Sequence, residues 1–230
     1  MRLLFTIILL SILLNACTSD TNEQKVDSTA LADSSEAIVS NWECIPGEKA
    51  GLITSGSSEQ QLINKLGKAN VSVHDTIYGA EGMFSIGTII YKGTPNEAHI
   101  TWKDTLNFKD PAYVEIGFVE PGKENEVQWY VTNGVKVGTK LTELEQINGK
   151  PFNFSGFGWD YGGSVVDWNG GKLMNADSTS YLSIILAYDY ENQALSSVAE
   201  KVMGDQSFES KNPHAQKLNP FVAHFIISFK

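Results

Sequence analysis

The strongest constraint on the fold is an alternation of apolar and polar residues in three segments: 98–103 (AHITWK), 112–120 (AYVEIGFVE) and 126–132 (EVQWYVT). Successive side chains of a strand point to opposite faces, so each segment offers one face to a core and one to water. Asp110-Pro111 and Pro121-Gly122 punctuate the three segments, and such dipeptides mark turns. Together they predict an antiparallel meander. Segments 70–78 and 87–92 (GTIIYK) add strands before it.

Elsewhere the apolar period changes from 2 to that of a helix. Segment 56–67 reads as a short helix with Ser57 or Ser58 as cap, Glu59 near its positive end and Gly67 as its stop. Segment 137–149 places Leu141, Leu144 and Ile147 on one face, with Thr139 or Thr142 as caps and Gly149 as the stop. Segment 193–203 does the same with Leu195, Val198, Ala199 and Val202. Strands are expected over 152–158, 159–161, 163–168, 181–190 and 221–229 (FVAHFIISF). No regular strand–helix–strand alternation occurs. The expected class is therefore α+β, an antiparallel sheet or sheets with two or three short helices on one face.

The N-terminus is of a different kind. Arg2 precedes an apolar run from Leu3 to Leu14, which is shorter than the roughly 20 residues needed to span a bilayer and has the proportions of a signal-peptide core. Leu14-Asn15-Ala16-Cys17 resembles the lipobox of bacterial lipoproteins. That resemblance implies cleavage before Cys17, a diacylglyceryl thioether on its sulfur and a fatty-acylated (palmitate-type) new N-terminus. Residues 1–16 are then a lipoprotein signal peptide. Residues 17–40 carry the lipidated Cys17 and a Ser-, Thr-, Asp- and Glu-rich flexible tether, too poor in apolar groups to offset its ordering entropy. Residues 41–230 form the α+β domain. Thr18 is not the Asp that resembles an inner-membrane retention signal, which points to the outer membrane.

The two early helices also share a spacing. Gly56 is followed by Leu62, Gly67 and Lys68 at the same offsets at which Gly138 is followed by Leu144, Gly149 and Lys150. Each set then leads into a β-branched strand, 87–91 and 163–168. This spacing is similar to the repeat of the BamE-type outer-membrane lipoproteins and of the β-lactamase inhibitor proteins. It implies tandem helix-then-strands repeats, here 51–132 and 134–190, with a C-terminal helix and strand over 193–229. It also implies a protein-binding or assembly role. Between repeats and chance recurrence the residues alone do not choose.

Composition narrows the function. With 17 Lys and Arg against 27 Asp and Glu, the net charge of −10 argues against nucleic-acid binding, which rests on basic groups. No nucleotide-binding glycine motif or nucleophile elbow is present. The four histidines, His74, His99, His214 and His224, have no metal-binding spacing, so no metal site and no cofactor is expected. His99 and His224 read as polar positions on a wet sheet face, or else as a ligand or base; His214 reads as a loop residue. Once Cys17 is acylated, Cys44 has no intrachain partner and reads as a small apolar residue at the start of the domain.

Residues 152–171 are dense in aromatics and glycines and carry Asp160 and Asp167. Trp159, Tyr161 and Trp168 either fill the helix–sheet core or form an exposed platform for a protein or a sugar, with Asp160 and Asp167 accepting hydrogen bonds. A third reading makes the two aspartates an acid/base pair. If 159–161 is a strand, Trp159 and Tyr161 share a face and Asp160 opposes them. The candidate binding surface is Trp159, Asp160, Tyr161 and Trp168. The expected protein is a lipid-anchored lipoprotein of the bacterial cell envelope, a non-catalytic binding or assembly module for an envelope protein or a cell-wall or glycan partner. The alternative is a tethered hydrolase acting on glycan or peptide.

Overall fold

The computed structural model describes residues 41–118, 122–174 and 181–230. The expected signal peptide, Cys17 and the tether lie outside the described residues. Strands β1 (Glu43–Ile45), β2 (Lys49–Ala50) and β3 (Ile53–Thr54) lead into helix α1 (Glu59–Leu66). Next come β4 (Val71–Tyr78), β5 (Phe84–Ile90), β6 (Ala98–Asp104), β7 (Lys109–Ile116), β8 (Tyr130–Val131) and α2 (Leu141–Asn148). The remainder is β9 (Asn153–Ser155), β10 (Val165–Asp167), β11 (Leu182–Ala187), α3 (Ser196–Ala199), β12 (Ser207–Glu209), α4 (Pro213–Leu218) and β13 (Phe221–Ser228). The class is α+β, with mostly antiparallel sheets and short helices.

The principal sheet has the order β11-β13-β7-β6-β5-β4, antiparallel throughout. Its alternation is the one read in the sequence. Ile100 and Trp102 on β6 and Val114 and Ile116 on β7 are buried, as are Phe225 and Ile227 on β13. They join Leu62 of α1 and Leu141 and Leu144 of α2 in one apolar core. Two smaller sheets flank it, β3-β2-β1-β8 and β10-β9-β12.

Several expectations are corrected. The third alternating segment, 126–132, does not continue the meander: only Tyr130–Val131 is strand, and it pairs parallel with β1. Trp129 forces the departure, being buried with its indole N–H donating to the Asn96 carbonyl at 3.0 Å. Asp110-Pro111 is not a turn but lies within β7. A register shift between Thr101 and Trp102 accommodates it opposite β6, consistent with proline being tolerated in a ladder at bulges.

The helices show how local signals and tertiary structure divide the work. Ser58 caps α1 in a reciprocal box with Gln61, its hydroxyl accepting from the Gln61 N–H and its own N–H donating to Gln61 Oε1. Neither Thr139 nor Thr142 caps α2. Its first N–H groups are satisfied from elsewhere, Leu141 N by the Pro220 carbonyl at 2.7 Å and Thr142 N by Asn219 Oδ1 at 3.1 Å. Gly149 does stop α2, in the left-handed conformation. The single helix expected over 193–203 is instead a 3-10 turn, the four residues of α3 and a second 3-10 turn. His214 is helical, not loop: Asn212 caps α4 by accepting from the N–H groups of His214 and Ala215, and Pro213 opens it.

The recurrence from Gly56 and Gly138 covers a helix and its glycine, and strand pairing diverges from there. α1 leads into β4 of the principal sheet, whereas α2 leads into β9 of the three-stranded sheet.

Candidate functional site

Strand β5 places Phe84, Ile86, Thr88 and Ile90 on one face by simple alternation. Thr88 is fully buried there and anchors α1 to the sheet: its hydroxyl donates to Glu59 Oε2 at 2.6 Å and accepts from Trp102 Nε1 at 2.9 Å. Beyond Thr88 this core-facing stripe runs out into solvent. Ile86 is 41% exposed and Phe84 66%, and Tyr78, directly paired with Phe84, is 77% exposed. Met83 in the connecting turn is exposed as well. The β4–β5 hairpin thus ends in an unroofed extension of the core face.

The segment around Trp159 leans on that hairpin. Residues 158–162 are a turn, not the expected strand, closed by the Gly162 N–H on the Trp159 carbonyl at 2.9 Å. Gly163 follows at φ +78°, where a Cβ would stand 2.0 Å from the Leu186 carbonyl oxygen, so only glycine lets the chain pass. Asp160 Oδ2 accepts the Glu81 N–H at 2.9 Å and ties the turn to the hairpin tip. The Glu81 carboxylate, together with desolvation, a hydrogen bond to Glu81 and the Asp160 charge, raises the Tyr161 phenol above its ordinary pKa.

Trp159 and Tyr161 are 40% and 45% exposed, with rings edge-to-face 5.3 Å apart. They meet because of the turn and not through strand alternation. Trp159 is fixed by its indole N–H on the Gly156 carbonyl at 2.9 Å. Trp168 does not belong to this surface: it is 3% exposed and packs on Phe152 in the core. Asp167 accepts the Asn169 N–H at 2.7 Å, and among the described residues it shares no hydrogen bond with Asp160. The surface therefore comprises Trp159, Asp160 and Tyr161 with Tyr78, Met83, Phe84 and Ile86. Of the last four, Phe84 and Ile86 continue the Thr88–Ile90 alternation across what reads locally as a loop, Tyr78 ends the segment read as a strand over 70–78, and Met83 lies in the turn between them.

The remaining candidates are placed as follows. His99 is half-buried, stacked on Phe118 at 3.6 Å and 2.7 Å from Glu97 Oε1. His224 meets the edge of Phe118 and lies 3.5 Å from Glu115 Oε1. The His99 side chain is 12% exposed, largely withdrawn from water, whereas that of His224 is 31% exposed. His74 sits at φ +51° in a register shift of β4, stacked on Phe108 and 3.4 Å from Glu59 Oε1. Among the described residues no three His, Cys, Asp or Glu side chains gather as metal ligands, and no helix is long and apolar enough to cross a membrane.

Cys44 is wholly buried, and desolvation pushes its thiol up to about 12. It should not react with thiol reagents at pH 8 in the native protein. An unfolded thiol ionises near pH 8.5, so between there and pH 12 the unfolded chain binds fewer protons than the native one. The thiol's contribution to stability is present below that window and declines across it by up to about 1.4 kcal/mol per pH unit. Unfolding of Cys44→Ala beside the parent from pH 8 to 11 should show the variant gaining relative stability as pH rises; parallel curves would contradict this.

No family model, no curated protein and no solved structure matches the chain.

Proposed function

We propose that this protein is a lipoprotein of the bacterial cell envelope, anchored through acylated Cys17, whose domain binds another envelope protein through the aromatic surface of the β4–β5 hairpin and the 158–162 turn. The membrane in view is the outer membrane. The observation that carries the reading is the run of the core-facing stripe into solvent at Ile86, Phe84 and Tyr78, beside Trp159 and Tyr161. Large exposed apolar side chains cost solubility, and clustered ones mark interaction surfaces. Trp, Tyr, Phe and Met are also the residues enriched at protein interfaces. The edge-to-face angle of 68° between Trp159 and Tyr161 favours a shaped protein partner over a sugar ring, which stacks on a flat face.

The test is a paired measurement. Tyr78→Ala with Phe84→Ala should change thermal stability little, since both side chains are exposed, yet reduce by tenfold or more the recovery of an envelope protein co-purifying with the parent and identified by mass spectrometry. Equal recovery by parent and variant would overturn the reading.

A further inference from the structure

A cleft of about 670 Å³ lies where the end of β11 meets the start of β13, and none of its described lining residues belongs to the aromatic surface. Its walls include Tyr188, Asp189, Tyr190 and Glu191, which follow β11, with Phe221 of β13 and Glu124 on the approaching loop. Ala187 pairs with Phe221 and Ile185 with His224, so the walls are held by the sheet's own ladder. Gly117 lets the third side close: at φ +129° its Cβ would lie 2.2 Å from the Ala223 carbonyl oxygen.

The lining has a definite chemistry. The Tyr188 and Tyr190 rings stand 4.1 Å apart, and Tyr190 is largely exposed toward solvent. Three carboxylates accompany them. Asp189 spends one oxygen on the Glu191 N–H at 3.1 Å, and Glu124 spends one on the Gly122 N–H at 3.0 Å. Among the described residues none of the three is paired with a lysine or arginine. His224 also borders the cleft, but its Nδ1 is enclosed behind the ring, facing Glu115. Among the described lining residues the one ammonium, Lys140 Nζ, lies over the Phe221 ring at 4.6 Å. The cleft wall therefore already holds a cation on an aromatic face. Ring faces carry negative potential and attract ammonium groups. Unpaired carboxylates beside them add to that field, and a net charge of −10 concentrates cations around the molecule.

We propose that this cleft is a binding site for an organic amine in its ammonium form, seated between the Tyr188–Tyr190 pair and the carboxylates of Asp189 and Glu191. Lys140 acts against the ligand, as a like charge sharing the cleft.

The experiment is an amide chemical-shift titration of the ¹⁵N-labelled full chain with phenethylamine, and with 2-phenylethanol as its neutral counterpart. Phenethylamine should move the amides of residues 188–191 and 221–224 and saturate, and 2-phenylethanol should bind at least tenfold more weakly. Glu191→Gln and Tyr190→Leu, each with an otherwise unchanged spectrum, should weaken the amine at least threefold. Lys140→Met should tighten it at least threefold. No saturable binding, shifts spread over the acidic surface, equal binding of the alcohol, or weaker binding by Lys140→Met would each overturn the proposal.

Discussion

Replacing Asn148 by Leu should lower the stability of the domain by about 3–5 kcal/mol. Asn148 is the last residue of α2 and is fully buried. Its amide donates to the Lys150 carbonyl at 2.9 Å and to the Trp168 carbonyl at 3.0 Å, and its oxygen accepts the Leu173 N–H at 3.1 Å. One side chain thus fastens the 168–173 loop to the helix end. The loop approaches so closely that a Cβ on Gly171 would stand 2.1 Å from Asn148 Oδ1. Leucine keeps the branching at Cγ but is bulkier and has no polar atoms, so the change crowds the site and strands the Trp168 carbonyl and the Leu173 N–H away from water. Each stranded group costs about 1–3 kcal/mol. Urea unfolding should show a lower midpoint at an unchanged slope. Asn148→Asp should fare no better, because a carboxylate cannot donate to two carbonyls and brings a buried charge. A loss under 1 kcal/mol in both variants would contradict this account.

Replacing Cys17 by Ser should move the protein from the membrane fraction to the soluble fraction and abolish labelling by radioactive palmitate. The expectation is all-or-none because anchoring through several acyl chains is strong: each buried methylene contributes about 0.8 kcal/mol. Serine offers no thiolate for the thioether. Retained label, or an intact N-terminus beginning at Met1 in the parent protein, would remove the lipoprotein reading.

What the sequence discloses about this fold is what its local chemistry decides. The cap of α1 at Ser57 or Ser58, the Gly149 stop and the alternation of β6 and β7 are all written within a few residues, and each was legible. Misreadings arose where a distant segment supplied the missing partner. The first turn of α2 takes its hydrogen bonds from Pro220 and Asn219, so its own threonines were no guide. Segment 126–132 alternates like a meander strand, yet the Trp129–Asn96 bond draws it into another sheet. Helix α4 had a readable signal, Asn212 before Pro213, masked by the brevity of the segment. The candidate surface was half legible. Trp159, Asp160 and Tyr161 stood out by composition, whereas Trp168 in the same segment is core. Tyr78, Met83 and Phe84 emerged only from knowing where α1 ceases to cover the sheet.

The central claim is that the unroofed stripe of the β4–β5 hairpin is covered by another protein in the cell. The direct measurement places a photoreactive phenylalanine analogue at Phe84, at Tyr161 and, as a control, at Thr94 in the turn at the opposite end of β5. After irradiation of intact cells, positions 84 and 161 should each yield the same discrete higher-mass adduct with one envelope protein, and position 94 should yield none. Adducts of equal yield from all three positions, or no adduct from 84 and 161, would contradict the account.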